Sequence, residues 1–207
     1  TMVVGLTGPT GSGKTTVSDF LRSKNIPVID ADQVARYVTV HVKPCLMDLA
    51  LEFGITILDD DGSLNRRRLG NIVFGNSEKL ARLNETIFPY IEKETIKRID
   101  KVCAEGQPIV FFDAPTLFES GIDKHCDYIV SVIAPRQERL KRSMERDNLT
   151  VEEAENRIKS QFEDEFYISR SGISIINDDT KAVLYDKVYD MIKRLADYYE
   201  DNFTQNV

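Results

Sequence analysis

Gly8-Pro9-Thr10-Gly11-Ser12-Gly13-Lys14-Thr15 fits the pattern G-x-x-x-x-G-K-[ST], and the residues on either side decide how it is read. Before it, Met2-Val3-Val4-Gly5-Leu6 is a short apolar run with the composition of a buried strand. After it, Thr16-Val17-Ser18-Asp19-Phe20-Leu21 spaces its apolar residues as a helix packed on a sheet does. Strand, glycine-rich turn and helix in this order make a phosphate loop. Gly8, Gly11 and Gly13, with Ser12 between the last two, let main-chain amides curl around a phosphate where a Cβ would obstruct them. Lys14 sets a mobile positive charge beside the β- and γ-phosphates, and the helix starting there adds its positive end. Thr15 offers a hydroxyl to Mg²⁺. The competing reading is a strand-to-helix turn that holds no ligand, which makes both the full match and its setting coincidences.

Working outward, residues 26–30 read as a second strand followed by a helix opening near Asp32. Residues 109–112 and 128–133 are continuous apolar runs suited to strands covered on both faces, and 173–176 gives a fifth. Strands alternating with helical stretches predict an α/β fold, a doubly wound parallel sheet of about five strands of the P-loop NTPase type, with ligands at the strands' carboxyl ends. The chain reads as one domain, 1–207. Residues 32–104 hold no strong strand signal and predict a helical substrate-binding insertion, in which Asp59-Asp60-Asp61-Gly62 is a turn and the helix over 77–104 is interrupted near Phe88-Pro89. Residues 137–166 predict a helical lid: Thr150 and Glu153 form a capping box, so two helices meet near Asp147-Asn148-Leu149. Residues 181–201 repeat Leu184, Val188, Met191, Ile192 and Leu195 at helical spacing, and the tail 202–207 reads as loose.

The 207 residues are 42% hydrophobic and carry a net charge of −7. That suffices for one α/β core, and the acidic balance argues against nucleic acid as the main partner. No signal pattern and no run of bilayer-crossing length is present, so the chain reads as cytoplasmic and off the membrane. Cys45, Cys103 and Cys126, odd in number and irregularly spaced, fit reduced and largely buried thiols. Oligomeric state is left open, a monomer being compatible.

Several side chains group around the loop. Asp30 and Asp32 follow the second strand, where a phosphoryl acceptor would enter; a carboxylate there accepts the acceptor's proton or helps hold Mg²⁺, while the blander role for Asp32 is to cap the next helix. Asp113 ends the third strand either as an acidic residue orienting Mg²⁺ through water or as a simple turn residue. The segment from Ala114 to Glu119 then leaves the sheet at its ligand edge. Arg139, Arg142 and Arg146 share a helix face, solvated or turned to a phosphoryl group, and Arg157 and Gln161 on the next helix are placed to face the same cleft. Arg66-Arg67-Arg68 is a dense basic patch for a phosphate-bearing small molecule, for nucleic acid, or for water. From these residues alone the function is a small-molecule P-loop kinase, with a nucleoside, nucleotide or shikimate-like alcohol as possible acceptor, or a nucleotide-dependent switch. The guanine-reading N-K-x-D motif is missing from the sequence.

Across most of its length the sequence resembles the dephospho-CoA kinase family. Gly5 to Val17 looks like its phosphate loop, Thr16 included, and Asp30-Ala31-Asp32 with Arg36 like its acceptor-side motif. Asn65-Arg66 with Leu69 and Ile72-Val73-Phe74 is similar to its substrate-domain signature. Asp113, Pro115, Leu117-Phe118-Glu119 and Gly121 resemble the segment after its third strand. Arg142, Arg146-Asp147, Arg157-Ile158 and Gln161 resemble its lid, and Ile176-Asn177 its turn near the adenine. The resemblance implies transfer of the ATP γ-phosphate to the ribose 3′-hydroxyl of dephospho-CoA. It implies Asp32 as base, Lys14 and Arg142 on developing charge, and Asn177 at the nucleotide. It further implies Arg36, Arg66, Leu117 and Glu119 on the acceptor side, and Thr15 with Asp113 at Mg²⁺. Phe88 departs from a usual histidine, Thr116 from leucine, Arg139 from glutamine, Ser171-Gly172 from Ala-Asp, and Asp179 from glycine.

Overall fold

Every residue of β1 (Met2–Thr7) is buried, so its unbroken apolar run belongs to a sheet covered on both faces. In the computed structural model, which describes residues 1–73 and 75–204, β1 is the middle of five parallel strands. The others are β2 (Val28–Asp30), β3 (Ile109–Asp113), β4 (Tyr128–Ile133) and β5 (Ile173–Ile176), in the order β2-β3-β1-β4-β5. Successive connections therefore leave β1 in opposite directions, and the crevice this opens lies at the carboxyl end of β1. The register sets what lines it: Leu6 pairs with Asp113 on one side and Thr7 with Ser131 on the other. Asp113 is thereby placed beside the start of the glycine-rich turn.

The chain divides into two compact units, Thr1–Val28 with Val102–Val207, and Ile29–Lys101. The first begins with α1 (Lys14–Ser23). The second carries α2 (Ala31–His41), α3 (Lys43–Phe53), α4 (Arg66–Val73) and most of α5 (Ser77–Ala104). The first resumes with α6 (Arg136–Asp147), α7 (Val151–Lys159), α8 (Asp164–Arg170) and α9 (Lys181–Phe203).

The core of the first unit follows from the 3.6-residue period of α9, which buries Leu184, Val188, Met191 and Leu195 against Met2, Val4, Leu6 and Phe111 of the sheet, with Ile192 half-buried at the margin. Val17 and Leu21 of α1 join this cluster, and the Phe20 ring stacks on Tyr185 at 4.3 Å between centroids. In the second unit Val34, Val38, Leu49, Ile57, Leu69, Ile91 and Ile99 are buried. The expected turn is present: Gly62 donates to the Asp59 carbonyl at 2.8 Å.

Five expectations need correction. The helix over Ser77–Ala104 is not interrupted but runs through Pro89; the proline removes one N–H, and the Glu85 carbonyl that loses it belongs to an exposed residue that water can serve. The second strand is shorter than 26–30, although pairing starts ahead of it where Phe111 donates to the Pro27 carbonyl at 2.9 Å. A third helix, α8, follows the two expected in the lid segment. Cys103 is exposed, unlike buried Cys45 and half-buried Cys126. Within the tail, Asn202 and Phe203 complete α9, whereas 205–207, like Phe74 of the substrate-domain signature, lie outside the described residues.

Phe111 tests the core directly. Phe111→Ala is expected to lower unfolding free energy by about 3–5 kcal/mol in urea melts; a loss under 1 kcal/mol would show that the sheet does not depend on this ring.

Candidate active site

The turn after β1 is built by fixing its carbonyls from outside. Three consecutive ones accept from side chains: Thr10 from Arg139 Nε at 3.1 Å, Gly11 from Arg142 Nη1 at 3.2 Å and Ser12 from Asn177 Nδ2 at 2.8 Å. In a trans peptide the N–H points away from the C=O, so the bonds to the Thr10 and Ser12 carbonyls turn the amides of Gly11 and Gly13 toward the concave side. Ser12 N–H closes on the Pro9 carbonyl at 3.2 Å. Among the described residues the amides of Gly11, Gly13, Lys14, Thr15 and Thr16 meet no acceptor, and the buried Ser12 hydroxyl is also unpartnered there. Gly13 is required here: its φ is +96°, and a Cβ would sit 2.2 Å from Asn177 Nδ2. Inward amides at the positive end of α1 can hold an anion.

Lys14 starts α1, and its ammonium is ion-paired with the Asp113 carboxylate, whose other oxygen accepts from the Ser18 hydroxyl. Asp113 is 6% exposed, and a carboxylate so buried requires charged or hydroxyl donors of this kind. Ser18 was not among the expected residues. Its signal was a serine on the apolar face of α1, one turn after Lys14. Thr15 is exposed and Thr16 half-buried. The hydroxyl of Thr15 and the carboxylate of Asp113 are hard oxygen donors, which is the chemistry Mg²⁺ takes.

Arg139, Arg142 and Arg146 of α6 all reach the turn, since Arg146 Nη2 also lies 3.4 Å from Thr10 Oγ1. Asp147 ties the two helices of the hairpin together. It accepts from Arg146 Nε at 2.9 Å and Nη2 at 2.8 Å, and it pairs with Arg157 of α7. The Arg146 bonds foremost, with Arg157, pull its carboxyl down to about 2. Asn148 makes the bend at φ +52° and the Thr150–Glu153 capping box is complete. Gln161 Oε1 accepts from Thr10 N–H at 2.9 Å. Leu117 is fully buried. Glu119 faces solvent, but partial desolvation by the protein behind it raises its carboxyl above the ordinary range, and its charge acts on Tyr167, whose buried hydroxyl meets no hydrogen-bond partner among the described residues.

In the second unit Asp30, not Asp32, caps α2, accepting from the Asp32 amide at 2.8 Å and the Gln33 amide at 3.1 Å. The Asp32 carboxylate is exposed and free of that duty, one turn before Arg36. Arg66 reaches the same helix through Thr39 Oγ1 at 2.6 Å and the Arg36 carbonyl at 3.4 Å. Arg68 turns elsewhere, to the Leu58 carbonyl at 2.9 Å.

A phosphate-loop turn at the switch point of a five-stranded parallel sheet, with arginines of a helical hairpin set against it, defines a P-loop kinase. Residues 2–182 match the family model described as dephospho-CoA kinase. A dephospho-CoA kinase of Fusobacterium nucleatum is 40% identical over 90% of this chain and 95% of its own length, and one of Listeria monocytogenes 38% over 93% and 96%. The solved dephospho-CoA kinase of Campylobacter jejuni superposes with a TM-score of 0.71 at 25% identity, covering 93% of this chain and 96% of that one. The chain belongs to the dephospho-CoA kinase family.

The Asp147 clamp carries a pH signature. Its folded pKa lies below the ordinary carboxylate value, so its stabilisation is complete above about pH 4 and is lost as the pH falls toward 2. Because the group faces solvent, Asp147→Asn is expected to cost only about 0.5–1 kcal/mol at neutral pH. In thermal melts the gap between wild type and variant should close between pH 4 and 2; a gap constant across that range would remove the clamp.

Proposed function

We propose that this chain transfers the γ-phosphoryl group of ATP to the ribose 3′-hydroxyl of dephospho-CoA, releasing coenzyme A and ADP. The observation that carries the reading is the single family match over residues 2–182, which takes in the phosphate loop, the second unit with its acceptor-side residues and the α6–α7 hairpin together.

The residues divide the work by charge. The turn from Gly8 to Gly13 with Thr15 and Thr16 binds the triphosphate through main-chain amides, and Asn177 both braces the turn and borders the nucleotide. Lys14 and Arg142 meet the negative charge that spreads over the transferred group, where a fixed cation is worth more than in water. Asp32 takes the 3′-hydroxyl proton as the new P–O bond forms and the bond to ADP breaks; its freedom from capping α2 leaves both oxygens for that proton. Arg36 of α2 and Arg66, which reaches α2 from the start of α4, hold the anionic part of dephospho-CoA, with Glu119 on the acceptor side and Leu117 giving shape from beneath. Bound at Thr15 and Asp113, Mg²⁺ would neutralise phosphate charge. No helix among the described residues is long and apolar enough to cross a membrane, and a cytoplasmic place suits an enzyme drawing on ATP. All these groups lie on one chain, which suits a monomer.

Purified protein with ATP and Mg²⁺ is expected to release ADP on addition of dephospho-CoA and not of nucleosides or shikimate; the reverse selectivity would replace this reading with another P-loop kinase. Lys14→Ala should abolish turnover. Asp32→Asn should cut kcat by roughly 10²-fold or more while sparing the KM for ATP, and full activity in that variant would strip Asp32 of its role. Arg142→Ala is expected to lower kcat by a similar factor.

A further inference from the structure

Arg139 stands apart from the other arginines of α6. Its side chain is 5% exposed, against 32% for Arg142 and 56% for Arg146, and its donors go to the protein itself. Nε donates to the Thr10 carbonyl at 3.1 Å and Nη1 to Asp164 Oδ1, in the first turn of α8, at 2.8 Å. The preceding peptide is held from the same side, because Thr10 N–H donates to Gln161. Gln161 and Arg139, with Asp164 behind the guanidinium, thus hold the N–H and the carbonyl of Thr10.

The consequence falls on the next amide. The Thr10 carbonyl and the Gly11 N–H belong to one planar trans peptide and point in opposite directions, so fixing the first aims the second. The backbone of α6 closes the arrangement: a Cβ on Gly11 would lie 2.5 Å from the Arg139 carbonyl. Without Arg139 the Thr10–Gly11 peptide has no side-chain anchor on its carbonyl and can rotate. Without Asp164 a buried guanidinium loses its counter-charge, and its hold on Thr10 weakens.

We propose that Arg139 is a positioning residue for phosphate binding. It presets the Gly11 N–H as a donor to the polyphosphate and, through Asp164, ties that setting to the docking of α8. This rests on the phosphate-loop reading of the site and not on which acceptor is phosphorylated.

The test is the affinity for ADP with Mg²⁺ by titration calorimetry, alongside steady-state kinetics. Arg139→Ala is expected to raise the Kd for ADP and the KM for ATP about tenfold or more, with kcat changed less than threefold and the KM for dephospho-CoA within twofold, since a preset amide serves bound and reacting phosphate alike. Asp164→Asn should move the same two constants in the same direction by a smaller factor. The double variant should be no worse than Arg139→Ala, because both act through one hydrogen bond to Thr10. Arg136→Ala, an exposed neighbour on α6, is the control and should change neither constant. A folded Arg139→Ala protein with a lowered melting temperature but a Kd within twofold of wild type makes the residue mere packing and overturns the proposal. Should Arg139→Ala fail to fold, an unchanged Kd in Asp164→Asn overturns it. Normal ADP binding without transfer to dephospho-CoA defeats the proposed function instead, and leaves the Kd series able to decide this point.

Discussion

A main chain can aim several N–H groups at one point only if the carbonyls that alternate with them are held somewhere else. That constraint organises the first unit. Thr10, Gly11 and Ser12 each surrender a carbonyl to a side chain from another element: two from α6 and one from the residue just past β5. The sheet makes this possible. β4 runs beside β1 and β5 beside β4, so α6 and Asn177, which follow them, arrive at the turn already in position; Asn177 N–H is itself pinned to the Ile133 carbonyl at 2.7 Å. Burial of α9 against the sheet thus contributes to function as well as stability, because the cradle is only as stiff as the strands that deliver its braces.

The charges obey a similar rule. Asp113 is buried, and a buried carboxylate without donors is costly by several kcal/mol. Register with β1 puts it at the carboxyl edge, and the helical period of α1 brings Lys14 and Ser18 to its two oxygens. One lysine therefore serves two needs: it satisfies the carboxylate, and it stands at the mouth of a ring of amides. Asp147 repeats the pattern at the surface, where it joins arginines of two helices and keeps the hairpin's guanidinium groups in register.

What could be read from the sequence was local. Strand, turn and helix around Gly8–Thr15 declare themselves through composition and spacing, and so does the Thr150–Glu153 box, because each depends on residues within a few positions. The interactions that finish the site do not. Arg139 and Thr10, or Asn177 and Ser12, are far apart in the chain, and no periodicity marks them; on a helical projection Arg139 looks like Arg142 and Arg146, all candidates for a solvated face. The two aspartates at the end of β2, Asp30 and Asp32, were also indistinguishable by type. Only the backbone at Asp30, extended at φ −96° and ψ +118°, makes it the cap and leaves Asp32 unengaged. Pro89 misled for the opposite reason: a local rule against helix was outweighed by packing along the rest of α5, where Ile91, Thr95 and Ile99 are buried at helical spacing.

The departures from the family pattern have local physical explanations in three places. Gly172 lies against Tyr128, whose ring atoms would be 2.4–2.6 Å from any added Cβ; with a tyrosine there, on whose ring Tyr198 of α9 packs edge-on at 4.8 Å, an aspartate at 172 has no room. Asp179 accepts from the Thr180 amide at 2.6 Å, just ahead of the Thr180 hydroxyl that caps α9, so a flexible glycine is exchanged for a side chain that helps start the helix. Arg139 is the third. A neutral amide can anchor the Thr10 carbonyl as a guanidinium does, but it does not pair ionically with Asp164, so arginine adds a charged link from the turn to α8 that is stronger than a neutral hydrogen bond and dependent on both ends being in place. All three changes act on how elements of the first unit are joined, while Lys14, Asp113 and the loop glycines, which face the phosphates in the proposed reaction, stay as the motif has them.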